Sequence, residues 1–571
     1  MAATSRLETN PPQRVIDTHT SDAQPSALRS LVAASTAILI HEPQHRGSRP
    51  VGLEPVSDHP GILQRMENSW GHFRFNTNMA IWNKIYTKAF DKELPTIPLP
   101  RDENLGLALL GDVHPTMDIP GVYVTPRTPA AETSCMQTFT FSTIRALTGV
   151  LSLHQPGVGR VPADPRAYMD LVYPEVFRTR MPVPEIGPAI IARPHDLPGA
   201  MALNGPFAAY IARDEAAGID CYKIDLAKWR NYPTRDGLET LGGVARLKWN
   251  AQTQQMETYK IELGSTSVRP GDADWDKSQK VIMCTLSTSM TVLRHLLNAH
   301  FIVAGTFAAA TSALPSGHAL RRLLHPHFDQ SIAANNDKIP NLINSDQAVF
   351  PSIFSFNQTT IIQIMTEAAV SFYLEDMDIH ESATKRKMTD KSIPYTYQNN
   401  VSALWDIFED YATQYIDSIY PSDAALQQDV HANNWYKTLD DHIPNGIKRY
   451  APVLDKANLV KLVTMLIHTV VVEHENVGNV TWKCGVAYPQ YIPTMVPEDG
   501  GLPPLAVGRR ALQALFSTNQ RMNPLVADNS HLALTRAQAN IMRAFQERLK
   551  NFQMQEGWLL DPKQCEISVS T

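Results

Sequence analysis

Residues 294–327 read RHLLNAHFIVAGTFAAATSALPSGHALRRLLHPH. After Arg294 no charge appears for more than twenty positions, and two histidines, His295 and His300, are set among the aliphatic residues. An apolar run without a polar face is the pattern of a helix buried all round, at the centre of a large core. Pro315 and Gly317 break the run, and a shorter helical stretch follows with His318, His325 and His327. Residues 459–478, LVKLVTMLIHTVVVEHENVG, behave alike and place His468 and His474 on a second apolar helix. A single histidine on such a face is commonly a satisfied core or cap residue. Two apolar helices that each deliver an inward histidine are how a bundle builds a metal site in its core.

The bulk composition narrows the function classes. The chain has 571 residues, 43% hydrophobic and 19% charged, which suits a large globular core. Its net charge of −6 offers no broad basic surface, so nucleic acid is not an expected partner. The five cysteines, Cys135, Cys221, Cys284, Cys484 and Cys565, are scattered and never in C-x-x-C spacing. That argues against a disulfide framework and suits a reducing compartment. The start, MAATSRLETNPPQRVIDTHT, lacks a basic segment followed by an apolar core, so a cytoplasmic location is expected. The apolar runs 301–314 and 459–472 are read as buried helices, the first too short to span a bilayer and the second interrupted by Lys461 and His468. No integral membrane association is expected. Phosphate loops, the nucleophile elbow G-x-S-x-G and H-E-x-x-H are all absent.

Residues 1–60, rich in Pro, Ser, Thr and His, read as an N-terminal extension, and 61–571 as one large domain. Residues 62–90 have a helical stripe, and 95–130 carry many prolines and read as loop. VARLKWNAQTQQMETYKIELG (244–264) alternates apolar and polar residues on both sides of a polar turn, which predicts a hairpin. LWDIFEDYATQYIDSIY (404–420) predicts a helix with Leu404, Phe408, Tyr411, Tyr415 and Ile419 on one face, stopped by Pro421.

Several of these stretches, in this order, resemble the catalytic domain of lipoxygenases, the non-haem iron dioxygenases of polyunsaturated fatty acids. DADWDKSQKVIMCTL (272–286) is similar to the family's lead-in to its first iron helix, residues 294–327 to that helix and its sequel, and LVTMLIHTVVVEHENVG to the second iron segment. IMRAFQERLKNFQ and the tail CEISVST are similar to the last helix and terminal segment. The resemblance implies a mainly α fold, a large helical catalytic domain with a small β element. Many family members also carry an N-terminal β-barrel domain; the first 200 residues here show no run of short alternating strands, so none is expected.

The family holds iron with His-x4-His on the first helix, a third His on the second segment, a side chain four residues later, and a terminal carboxylate. Carried over, these positions fall on Met290, His295, His474, Gly478 and Thr571. A thioether is a soft ligand, poor for iron, and glycine offers none. The expectation is therefore that no metal is bound and that no cofactor is used. The enzyme would then be an isomerase or cyclase that closes or rearranges a long, unsaturated, apolar substrate, holding a reactive conformer. His295 and His474 would give or take protons, Glu473 would approach the pocket, and Asn476 would orient a carbonyl or hydroxyl. Met290, Gly478, His300 and Ser345 would line the pocket, Ser345 falling where the family places Ala or Gly beside its oxygen route. Two alternatives stand beside this. One is a dioxygenase with non-haem iron on His295, His474 and the Thr571 carboxylate; the other is an inactive lipid-binding protein.

Overall fold

Alternation along 244–264 does produce the predicted hairpin. In the computed structural model the described residues are 85–91, 159–173, 183–184, 186–315, 317–328, 331, 342–343, 345–390, 392–476, 488–518, 524–555 and 560–569. Among them, strand β3 (Val244–Asn250) pairs antiparallel with β4 (Gln255–Leu263), and the turn between them is closed by Gln254 at φ 53°. The hairpin is the centre of a five-stranded antiparallel sheet in chain order, flanked by β1 (Ile211–Arg213), β2 (Cys221–Asp225) and β5 (Thr266–Val268). One face puts Ile211, Tyr222, Ile224, Leu247, Met256 and Ile261 into the apolar cluster that the helices share. On β3, Arg246 pairs with Glu262 at 3.0 Å and with Asp214. Gly242 and Gly243, at φ 94° and 144°, carry the chain from Leu241 into β3. A Cβ at Gly242 would meet the Leu226 carbonyl at 2.7 Å, so only glycine lets the backbone pass there. The Gly242 N–H donates to Thr285 Oγ1 at 2.9 Å and so ties the sheet to the first long helix.

That helix, α1, runs 36 residues from Trp275 to Ala310. Its start is fixed by the Trp275 indole N–H, which donates to the His195 carbonyl at 3.0 Å. Between Met290 and Ala304 it widens into π-helical winding: the Gly305 N–H bonds back to His300, five residues earlier. The apolar run 301–314, too short to span a bilayer by itself, is thus mostly the end of a longer helix. A short helix α2 (Ala319–Leu324) follows, and His318 caps it. Its Nδ1 accepts the Leu320 N–H at 3.2 Å, while Nε2 pairs with Asp429 at 2.9 Å. His318 is therefore a structural cap.

The helix predicted at 404–420 lies within α3 (Thr396–Ile419). Leu404, Phe408, Tyr411 and Tyr415 are buried as expected, Ile419 is half-buried, and the helix ends two residues before Pro421. The buried face packs on α5 (Lys456–Asn476) and α6 (Arg536–Lys550), with the Tyr411 ring stacked on Phe545 at 4.1 Å. Between them in sequence, α4 (Val430–His442) sets Trp435 edge-on against Phe307 of α1. Asp455 caps α5, accepting the Asn458 N–H at 2.7 Å. Near its end α5 also widens: the His474 N–H bonds to the Thr469 carbonyl, five residues back. By length and composition α1 and α5 are each apolar enough to cross a membrane, and most of each is buried against the rest of the chain.

The mainly α fold with a small sheet is as the sequence predicts. The extension over 1–60 and most of the region in which a β-barrel was not expected lie outside the described residues. Residues 95–130 do so as well, and of 62–90 only 85–90 are described, as helix.

Two core histidines give this fold an acid-sensitive stability. His327 donates from Nδ1 to the Ile567 carbonyl at 3.2 Å, and burial pushes its pKa down to about 4. His468 lies against Trp405 at 5.3 Å with neither ring nitrogen hydrogen-bonded among the described residues. Burial lowers it also to about 4. Both folded values lie below the unfolded value near 6.5, so their contribution is complete above that pH and is lost as pH falls towards 4. Each is worth at most about 3 kcal/mol when fully lost. Melting temperature should therefore fall between pH 7 and pH 5, and His468→Leu should flatten that slope. An unchanged slope in the variant would clear His468 as its source.

Candidate metal centre

The widened winding of α1 decides where its histidines point. In an α-helix, residues five apart lie about 140° apart around the axis. Bonding to the fifth residue brings such positions into line, and π segments of this kind recur at functional sites. His295 and His300 accordingly face the same way, with their Nε2 atoms 3.1 Å apart. His474 arrives from the widened end of α5 and sets its Nε2 3.2 Å from that of His300. The ring centroids are 4.5, 4.8 and 5.0 Å apart, and the three side chains are buried. Among the described residues this is the one group of three or more histidine, cysteine or acidic side chains placed to hold an ion.

The arrangement corrects the expected register. The His-x4-His pair of α1 is His295 and His300, not Met290 and His295. Met290 is fully buried one helical step earlier, within the apolar cluster. His300, expected to line the pocket, is a member of the triad. The signal that finds it is present in the sequence, since RHLLNAH itself contains the spacing.

The donor set fits a first-row transition metal. Burial, then the neighbouring His300 and His474, hold the His295 imidazole well below its usual pKa, so it is neutral and ready to coordinate. Nitrogens about 2.1 Å from one ion would lie about 3.0 Å apart at right angles and about 3.4 Å apart in a tetrahedron. The observed 3.1 and 3.2 Å fall between. Imidazole ligands suit iron, zinc, copper and nickel.

The other expected site residues divide. Glu473 does not turn towards the imidazoles. It is buried and ion-paired with Arg294, whose Nη2 is 2.7 Å and Nε 2.9 Å from Oε2, and it accepts from the Tyr397 hydroxyl at 3.3 Å. Burial alone would raise its carboxyl; Arg294 reverses this and holds it below the usual range. It therefore stays ionised as a structural partner. Asn476 is buried two positions beyond His474, about 200° further round the helix. Ser345 is exposed, its carbonyl accepting the Ala348 N–H at 3.0 Å in the turn before Val349–Ile353. Gly478 and Thr571 lie outside the described residues. Sequence reading missed Arg294 and also the packing of residues 565–569. That stretch is buried beside α5, with the Glu566 N–H donating to Glu475 Oε1 at 3.3 Å.

Residues 250–499 match the family model for lipoxygenases. Linoleate 9S-lipoxygenase 1 of Hordeum vulgare is 23% identical over 215 residues, 34% of this chain and 23% of that protein. Hydroperoxide isomerase ALOXE3 of Homo sapiens is 27% identical over 172 residues, 29% of this chain and 23% of that protein. The matched stretches thus span about a quarter of these relatives' length. The solved coral 8R-lipoxygenase superposes with a TM-score of 0.66 at 16% identity, covering 90% of this chain and 82% of that one. The resemblance to the lipoxygenase catalytic domain holds in sequence, and the fold is the same.

The register is testable with the ion alone. Titrated with Co(II), the protein should take up close to one equivalent. His300→Ala should abolish tight uptake, and Met290→Leu should leave it intact. The reverse pattern would restore the register that starts at Met290.

Proposed function

We propose that this chain, built on the lipoxygenase catalytic fold, is a metal-dependent enzyme that oxidises a polyunsaturated fatty acid, with the ion on His295, His300 and His474. The observation that carries this reading is the convergence of three buried Nε2 atoms within hydrogen-bond distance of their neighbours. Expecting a metal-free isomerase or cyclase rested on Met290 and Gly478 standing where ligands should be; His300 answers the first, and Gly478 lies outside the described residues.

A redox-active ion bound there would supply the one-electron oxidation that takes a hydrogen from between two double bonds. The chain's own residues do the rest. Burial keeps His295 unprotonated, so protons do not compete for its nitrogen. Leu296, Leu297, Phe301, Val470, Val471 and Val472 are buried on the same helical turns as the histidines. An apolar surround of this kind suits an acyl chain and offers nothing to a polar metabolite. The named substrate of the barley relative, linoleate, is the first to try.

A second reading has its own support. The match to a hydroperoxide isomerase makes rearrangement of a fatty-acid hydroperoxide the runner-up, on the same three histidines. The experiment separates the two. Protein reconstituted with iron or manganese is given linoleate in an oxygen electrode, then linoleate hydroperoxide without oxygen. Oxygen uptake with a conjugated-diene product is expected. Consumption of hydroperoxide alone would favour the isomerase, and metal-loaded protein that does neither would sink both readings. His474→Ala should lose whichever activity is found, together with the metal.

A further inference from the structure

We propose that Arg294 and Glu473 form the positioning pair of the metal centre, a buried ion pair that sets the two histidine-bearing helices at the level where their imidazoles meet. The inference rests on the metal reading above.

Each partner stands immediately before a histidine of the triad in the chain, Arg294 before His295 and Glu473 before His474. The pair therefore joins α1 to α5 at the same height as the imidazoles. Both Arg294 Nε, at 2.9 Å, and Nη2, at 2.7 Å, reach one carboxylate oxygen of Glu473. The other oxygen takes the Tyr397 hydroxyl at 3.3 Å. The Arg294 guanidinium also lies over the Tyr210 ring, 5.7 Å from its centroid, and the Tyr210 hydroxyl donates to Ser289 Oγ at 3.0 Å. Glu473 is 2% exposed, so its charge is taken almost wholly out of water.

Burying such a pair for stability alone is a poor bargain, because an apolar pair of similar size often serves as well or better. What an apolar pair lacks is direction. Sliding α5 by one residue along α1 would move His474 about 1.5 Å and rotate it about 100°, out of reach of the other two rings. An apolar contact tolerates that slip, whereas a guanidinium fork on one carboxylate oxygen does not. Two π-wound segments, Met290–Ala304 and Thr469–Glu473, pack on each other here. Winding of this kind persists only where its surroundings hold it, and the pair ties the two segments together at that point. Neither partner joins the histidine group, and the carboxylate is already committed, so the role is positioning and not ligation.

The test is Co(II) affinity and its visible ligand-field spectrum in the full chain, alongside thermal melting. The double variant Arg294→Met, Glu473→Leu should fold and melt near the wild type. It should bind Co(II) about 10- to 100-fold more weakly, the range seen when groups supporting a metal's ligands are removed. Its bands should shift, which a purely stabilising role would not cause. Arg294→Lys keeps the charge without the fork and should weaken binding to a smaller extent with the same sense of band shift. Should the double variant fail to fold, the Lys variant decides. Wild-type affinity and spectrum in whichever folded variant is measured would overturn the inference while leaving the metal reading intact. A wild-type protein that takes up no Co(II) would overturn the metal reading, and this inference with it.

Discussion

Everything at this site depends on the hydrogen bonds of α1 reaching back five residues instead of four between Met290 and Ala304. With regular winding, His295 and His300 would point to opposite sides, and one of them would be a buried imidazole with nothing to do. The wider turn aligns them. The end of α5 repeats the device, so His474 also leaves its helix at a widened turn. Such winding forfeits some backbone geometry and survives only where surrounding packing holds it. Here the holding is visible: the sheet is fastened to α1 through Thr285, Trp275 anchors its start, and α3, itself packed on α6, backs α5.

The histidines of this chain show how burial sorts one residue type into several jobs. His318 caps a helix with one nitrogen and meets Asp429 with the other. His327 spends a ring N–H on the carbonyl of Ile567. His468 packs at a tilt against Trp405 and stays neutral. Among the described residues, His295, His300 and His474 are the three that present ring nitrogens to one another. At 3.1 and 3.2 Å one imidazole can donate its N–H to the next, and the same three nitrogens are the donor set proposed for an ion.

Much of the fold was legible because it follows simple periods. The alternation over 244–264 and the stripe from Leu404 to Ile419 are properties of a single strand or helix, and both are found where the pattern puts them. Strands β1, β2 and β5 were not anticipated, being short and defined by their neighbours more than by themselves. At the site, His295 and His474 were legible as buried histidines on apolar helices. The role of His300 was passed over although its His-x4-His spacing stands in the sequence; what local composition does not announce is the widened turn that aligns it with His295. Glu473 was misread for a related reason. Its partner is 179 positions away, and only the packing of α1 on α5 shows which way its carboxylate turns.

The buried stretch from Cys565 to Val569 bears on how the protein is made. Glu566 bonds to Glu475, beside His474, and Ile567 receives the ring of His327. A chain leaving the ribosome has all three imidazoles long before it has this stretch, 91 positions after Glu475. Until those residues emerge and dock, Glu475 and His327 lack these partners. The wall that Cys565 to Val569 give the flank of α5 is thus a late addition to the two histidine helices, made by residues that follow them by some ninety positions.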